Sequence, residues 1–150
     1  MNAPHRLRLD SAALVANWRA LAALSGPAAC GAAIKADGYG LGAVEVARRL
    51  AQAGCRDFFV ATWAEAEALA PLGLPVAVLH GVREEDMAAT REGFAWPVLN
   101  TELQVARWRA AGGGRCDVMV DTGMSRLGLA PGTVSDGMLD GLDQDRKSVV

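Results

Sequence analysis

Residues 30–42 read Cys30-Gly31-Ala32-Ala33-Ile34-Lys35-Ala36-Asp37-Gly38-Tyr39-Gly40-Leu41-Gly42. A short apolar run, Cys30–Ile34, closes on a lysine, a glycine-rich turn follows, and an apolar-periodic stretch runs from Ala43 to Ala53. The first part has the length of a buried strand and the last has the 3.6-residue period of a helix. Gly54 then stands at the C-cap, where a residue free to take positive φ is favoured. This is one β/α unit, and its repetition decides the fold.

Toward the N-terminus, Asp10 or Ser11 can cap a helix that continues to Leu24, with Leu14, Val15, Trp18 and Leu21 on one face. Toward the C-terminus the unit recurs. Asp57–Thr62 is a strand, and Trp63–Ala70 a helix stopped by Pro71. Pro75–His80 is a third strand, with a helix over Glu84–Glu92. Trp96–Asn100 is a fourth, followed by a helix over Thr101–Ala111 and a turn at Gly112–Gly114. Asp117–Asp121 is a fifth strand, and TGMSRLGL follows it. Five strands alternating with helices across short Gly or Pro breaks predict an α/β fold with a parallel sheet. Two closures fit, an open doubly wound sheet or a (β/α)8 TIM-type barrel. A whole barrel takes roughly 250 residues, so about five βα units would be its N-terminal portion. No G-x-G-x-x-G follows the first strand, which weakens a dinucleotide-binding alternative.

Composition narrows the function classes. The 150 residues are 51% apolar and 21% charged with a net charge of −2, which gives no electrostatic case for nucleic acid or an anionic membrane. No apolar run approaches the roughly 20 residues of a membrane span. The opening MNAPHRLRLD has no apolar stretch after its basic residues, so no signal peptide is read and a cytoplasmic location is expected. Cys30, Cys55 and Cys116 are widely spaced without a Cys-x-x-Cys, as small core residues in a reducing compartment. His5 and His80 have no partner spacing for a metal, and none is expected.

In parallel β/α folds reactive groups gather at the carboxyl ends of strands, where Lys35 falls. An amine partly shielded there by apolar neighbours has its charged form disfavoured, and a free-base amine forms an imine with an aldehyde. A lone lysine after a strand is commonly a solvated loop residue, so the weight rests on its flanks. Ala33–Gly42 resembles the cofactor-lysine signature of alanine racemases, in which a strand ends in Lys and a Tyr-Gly pair follows. Val120-Asp121-Thr122-Gly123-Met124-Ser125-Arg126-Leu127-Gly128 resembles that family's second diagnostic segment. Weaker similarity extends over Leu9–Asn17, Phe59–Thr62 and Glu65–Leu69.

The resemblance implies the N-terminal barrel domain of a pyridoxal-phosphate-dependent racemase of L- and D-alanine, which in bacteria supplies D-alanine for peptidoglycan. It implies that Lys35 holds pyridoxal 5′-phosphate as an internal aldimine and serves as one of two acid/base groups. Tyr39 would hydrogen-bond the cofactor phosphate. Arg126 would sit beside the cofactor's phenolic oxygen and the substrate carboxylate, where a fork of donors suits an oxygen anion. Asp121, Thr122 and Gly123 would shape the loop, and Asp37 the turn or the helix entry. Racemisation needs proton carriers on both faces of the planar carbanion. In the family the second is a tyrosine from the C-terminal β-domain of the other subunit of a homodimer, whereas Tyr39 is the one tyrosine here. A racemase of serine or of broad specificity is the neighbouring alternative. A non-catalytic pyridoxal-phosphate homeostasis protein is the distant one, and Val120–Gly128 argues against it.

Two departures stand out. Met119 occupies the position where many members carry a carbamylated lysine that steadies the arginine, and Leu41 replaces a frequent histidine. After Leu142 the chain reads DQDRKSVV, and its last six residues resemble a translated sequencing adapter. The expectation is therefore a partial barrel domain over 1–144, a non-native tail over 145–150, no C-terminal β-domain, and no activity from these residues alone.

Overall fold

The computed structural model describes residues 7–134, 137–140 and 142–149, the last seven of them by their backbone; His5 lies outside the described residues. Helix α1 (Ser11–Leu24) starts where Asp10 accepts from the amides of Ala12 and Ala13, both at 3.0 Å, which satisfies two of the orphan donors of a helix start. Strand β1 (Ala32–Ala33) leads into a single turn, α2 (Lys35–Tyr39), and then helix α3 (Ala43–Ala53), which ends at Gly54 with φ 113°. The pattern continues through β2 (Phe58–Val60), α4 (Trp63–Leu69), β3 (Val76–Val78), α5 (Met87–Thr90), β4 (Trp96–Leu99), α6 (Glu102–Ala110) and β5 (Arg115–Val120). A sixth strand, β6 (Asp143–Val149), follows.

All neighbouring strands pair in parallel, and their order in the sheet is their order in the chain, β1 to β6. A doubly wound sheet reverses direction at a switch point, and this one never does. Successive right-handed β/α crossovers stepping one way are the construction of a (β/α)8 barrel, here in part.

Side chains alternate between two environments. Phe58, Val60, Val76 and Val78 face the helices and pack with Val46, Ala47, Leu50, Trp63, Ala66 and Leu69. Their neighbours Phe59, Ala77 and Leu79 turn the other way and join Trp96, Val98 and Met119 on the barrel-interior side. Low in that interior, the Trp96 indole donates to buried Asp117 at 2.9 Å, and the Arg115 guanidinium lies 3.5 Å over the Trp96 ring. Cys55 and Cys116 are core residues, whereas Cys30 is half-buried.

Three expectations change. The first strand is shorter than Cys30–Ile34, and ahead of it the Cys30 carbonyl accepts from the Trp18 indole at 3.1 Å. The expected helix Glu84–Glu92 is a 3-10 turn, Glu84–Asp86, followed by short α5. Asp86 there accepts from both the backbone and the guanidinium of Arg83, and so fixes a tighter start. There are also six strands rather than five, so β5 has partners on both sides. The sixth covers Asp143–Val149, whose polar sequence carries no apolar strand pattern.

Candidate functional site

A cleft of about 390 Å3 opens at the carboxyl ends of the strands. Its wall takes Lys35 from after β1, Ala61 from after β2 and Leu79 and His80 from after β3. Met119 comes from β5, and Met124, Arg126 and Leu127 from the loop that follows. Parallel pairing sets this arrangement, since every strand delivers its last residues to the same end.

Lys35 is half-buried, and the residue before it is fixed: Ile34 is buried and donates its amide to the Phe59 carbonyl at 2.8 Å. Beyond Lys35 the backbone winds left-handed. Ala36 has φ 52° and ψ 48°, Asp37 φ 52° and ψ 49°, Gly38 φ 64° and ψ 37°, and Tyr39 φ 56°. Each non-glycine residue in that conformation costs about 1–2 kcal/mol, so Ala36, Asp37 and Tyr39 together store several kcal/mol that other contacts must offset. One such contact is the Asp37 carboxylate, which accepts from the Ala43 amide at 2.7 Å, so Asp37 does shape the helix entry. Another is the Glu65 carboxylate, which accepts from the Ala36 amide at 2.7 Å. At Gly38 a Cβ would sit 3.2 Å from the backbone of Ala43, so glycine lets α3 close on the turn.

The loop after β5 is pinned at its base, where Leu129 donates to Met119 at 2.8 Å and Asp121 donates to Leu129 at 2.9 Å. Within it, one Asp121 carboxylate oxygen accepts from the amides of Ser125 and Gly123, both at 2.9 Å. Those backbone donors, Ser125 first, hold the Asp121 carboxyl below its ordinary value. A depressed folded value means that the carboxylate orders the loop above the usual aspartate range near 3.9 and loses that effect as pH falls through the lower folded value. Amide exchange at Gly123 and Ser125 should therefore lose protection, beyond the intrinsic rate change, as pH is lowered below about 4. Protection unchanged down to pH about 2 would contradict this.

Of the residues singled out from sequence, Lys35 and Arg126 meet in the cleft and Tyr39 does not line it; Tyr39 is 63% exposed beside the turn. Arg126 is exposed, and no carboxylate pairs with it among the described residues. Met119, buried in the interior layer, puts a thioether where a carbamate would need an amine. His80, Leu79 and Ala61 were not singled out. Each lies one or two residues past a strand, a signal that becomes readable only once the strand ends are known. Among the described residues no cluster of His, Cys, Asp and Glu could hold a metal, and no helix is long and apolar enough to cross a membrane.

Residues 9–148 match the family model for the alanine racemase N-terminal domain. The chain belongs to that family. An alanine racemase of Rhizobium meliloti is 43% identical over 138 residues, covering 87% of this chain and 36% of the relative. One from Brucella suis is 47% identical over 133 residues, covering 83% of this chain and 33% of the relative. The crystal structure of alanine racemase from Bartonella henselae with covalently bound pyridoxal phosphate superposes with a TM-score of 0.74. It is 37% identical, over 83% of this chain and 37% of that one. This alanine racemase N-terminal domain thus spans about a third of the relatives it matches, and its partial-barrel architecture agrees with that of the solved structure.

Proposed function

We propose that the full-length protein interconverts L- and D-alanine with pyridoxal 5′-phosphate, Lys35 being the attachment point and one proton carrier. The observation that carries this is the meeting of Lys35 and Arg126, drawn from motifs on β1 and β5, in one cleft. Its chemistry fits the cofactor: a primary amine for an aldehyde, a guanidinium for anionic oxygens, and apolar Leu79, Met119 and Leu127 to flank a planar ring.

When bound, pyridoxal phosphate supplies the electron sink for the pair left when an α-proton is removed. The chain's residues do the rest. Lys35 Nζ binds the cofactor and, once released from it by substrate, takes or returns the α-proton on its own face. Arg126 orients the substrate carboxylate with its planar donor fork. Tyr39 is the hydrogen-bond donor to the phosphate in this reading. The opposite face needs a second base from elsewhere, which a homodimer partner would provide, and the D-alanine produced would serve peptidoglycan synthesis in the cytoplasm.

The test is chiral analysis of alanine with the full-length protein. Racemisation should require pyridoxal phosphate, and Arg126→Ala should lower kcat/KM by at least about tenfold, as expected for losing the donor fork that orients the substrate carboxylate. Wild-type kinetics in that variant would remove Arg126 from the site.

A further inference from the structure

We propose that Glu65 is a positioning residue for Lys35, its carboxylate holding the left-handed turn that sets where the lysine side chain enters the cleft. The inference rests on the reading of Lys35 as the cofactor lysine.

Glu65 lies in the first turn of α4, and its ordinary role is visible. It forms a capping box with Thr62, whose hydroxyl accepts from the Glu65 amide at 3.3 Å. That role accounts for the bond from the Thr62 amide to Oε2 at 3.2 Å. It does not account for the two shorter bonds. Oε2 also accepts from the Ala61 amide at 2.7 Å, and Oε1 from the Ala36 amide at 2.7 Å, across 29 residues of sequence. Ala36 directly follows Lys35, and Ala61 lines the cleft. One carboxylate therefore ties the first left-handed residue of the turn to the end of the neighbouring strand.

The turn needs such a tie, because alanine does not take φ 52° by preference. A carboxylate is suited to the task. It accepts on both oxygens and presents no hydrogen to the three amides, and ionised acceptors make the stronger bonds. A glutamine has the same shape but a single acceptor oxygen, and its NH2 would face one of those amides, donor against donor.

The experiment uses the full-length protein with pyridoxal phosphate and follows both cofactor attachment and activity. Borohydride reduction followed by peptide mapping first locates the pyridoxyl group in the wild type. Absence from Lys35 at this step sinks the functional reading itself, and everything after it concerns Glu65. Glu65→Gln should weaken attachment at Lys35 by at least about tenfold, change the visible absorbance of the bound cofactor, and lower kcat more than it raises KM. Glycine takes positive φ without cost, so adding Ala36→Gly to Glu65→Gln should restore most of the loss. Thr62→Ala removes the capping partner and should lower thermal stability while leaving attachment intact. Attachment undiminished in Glu65→Gln, no rescue by Ala36→Gly, or an equal loss in Thr62→Ala would overturn the inference. Should Glu65→Gln fail to fold, hydrogen exchange of the wild type decides: the Ala36 amide should be protected, and free exchange there overturns the proposal.

Discussion

Lys35→Ala is expected to abolish racemisation in the full-length protein, with a loss on the order of 10^4-fold or more, because cofactor attachment and one proton carrier disappear together. The two proposed roles fall on one atom, Lys35 Nζ. An alanine at this position leaves the cleft its arginine and its apolar walls, so substrate and cofactor can still lodge there without covalent attachment. The chain's other lysine, Lys147, lies in β6 and is not among the residues that line the cleft. Borohydride-trapped pyridoxyl should accordingly map to Lys35 in the wild type and vanish in the variant. Activity within tenfold of the wild type, or label on a different lysine, would remove Lys35 from the mechanism.

Gly128→Ala should be the most damaging single-methyl change at the site. Gly128 has φ 109°, and a Cβ there would lie 2.7 Å from the Asp121 amide nitrogen and 3.0 Å from the Val120 carbonyl carbon. Both are backbone atoms at the end of β5, where no flexible side chain can move aside. Forbidden φ and backbone overlap together are worth about 2–4 kcal/mol of stability, and relief can come only by shifting the loop that carries Arg126. The variant should therefore melt several degrees lower and lose about as much kcat/KM as Arg126→Ala. Unchanged melting and kinetics would mean that the Gly128 backbone is not held as described.

What could be read in the sequence was whatever is decided locally. Helix α1 starts after Asp10 and α3 stops at Gly54 because a side-chain acceptor and a residue free at positive φ act within their own turn. Lys35 and Arg126 were legible through the two motifs around them. The strand order came only through the family resemblance, since hydrophobic pattern fixes which residues are buried and not which strands are neighbours; barrel and doubly wound sheet share that pattern. The conformation after Lys35 was equally hidden. Ala36 and Tyr39 are poor left-handed residues by themselves, and the acceptor at Ala36 belongs to Glu65, 29 residues further along the chain in α4. His80 was legible as the end of an apolar run, and its place on the cleft wall follows only from where β3 ends beside β2. Polar β6 had no signal in the alternation at all.

Because strand order follows chain order, the wall of the cleft is also built in the order of synthesis. Lys35 leaves the ribosome 91 residues ahead of Arg126 (126 − 35), a lead of about 5 to 20 s at about 5–20 residues per second. During that interval the lysine, its turn and the Glu65 tie can form, while the guanidinium proposed to orient the substrate carboxylate does not yet exist. The nascent domain can thus carry the proposed attachment point, complete, before the arginine proposed to hold an amino acid in place has been made.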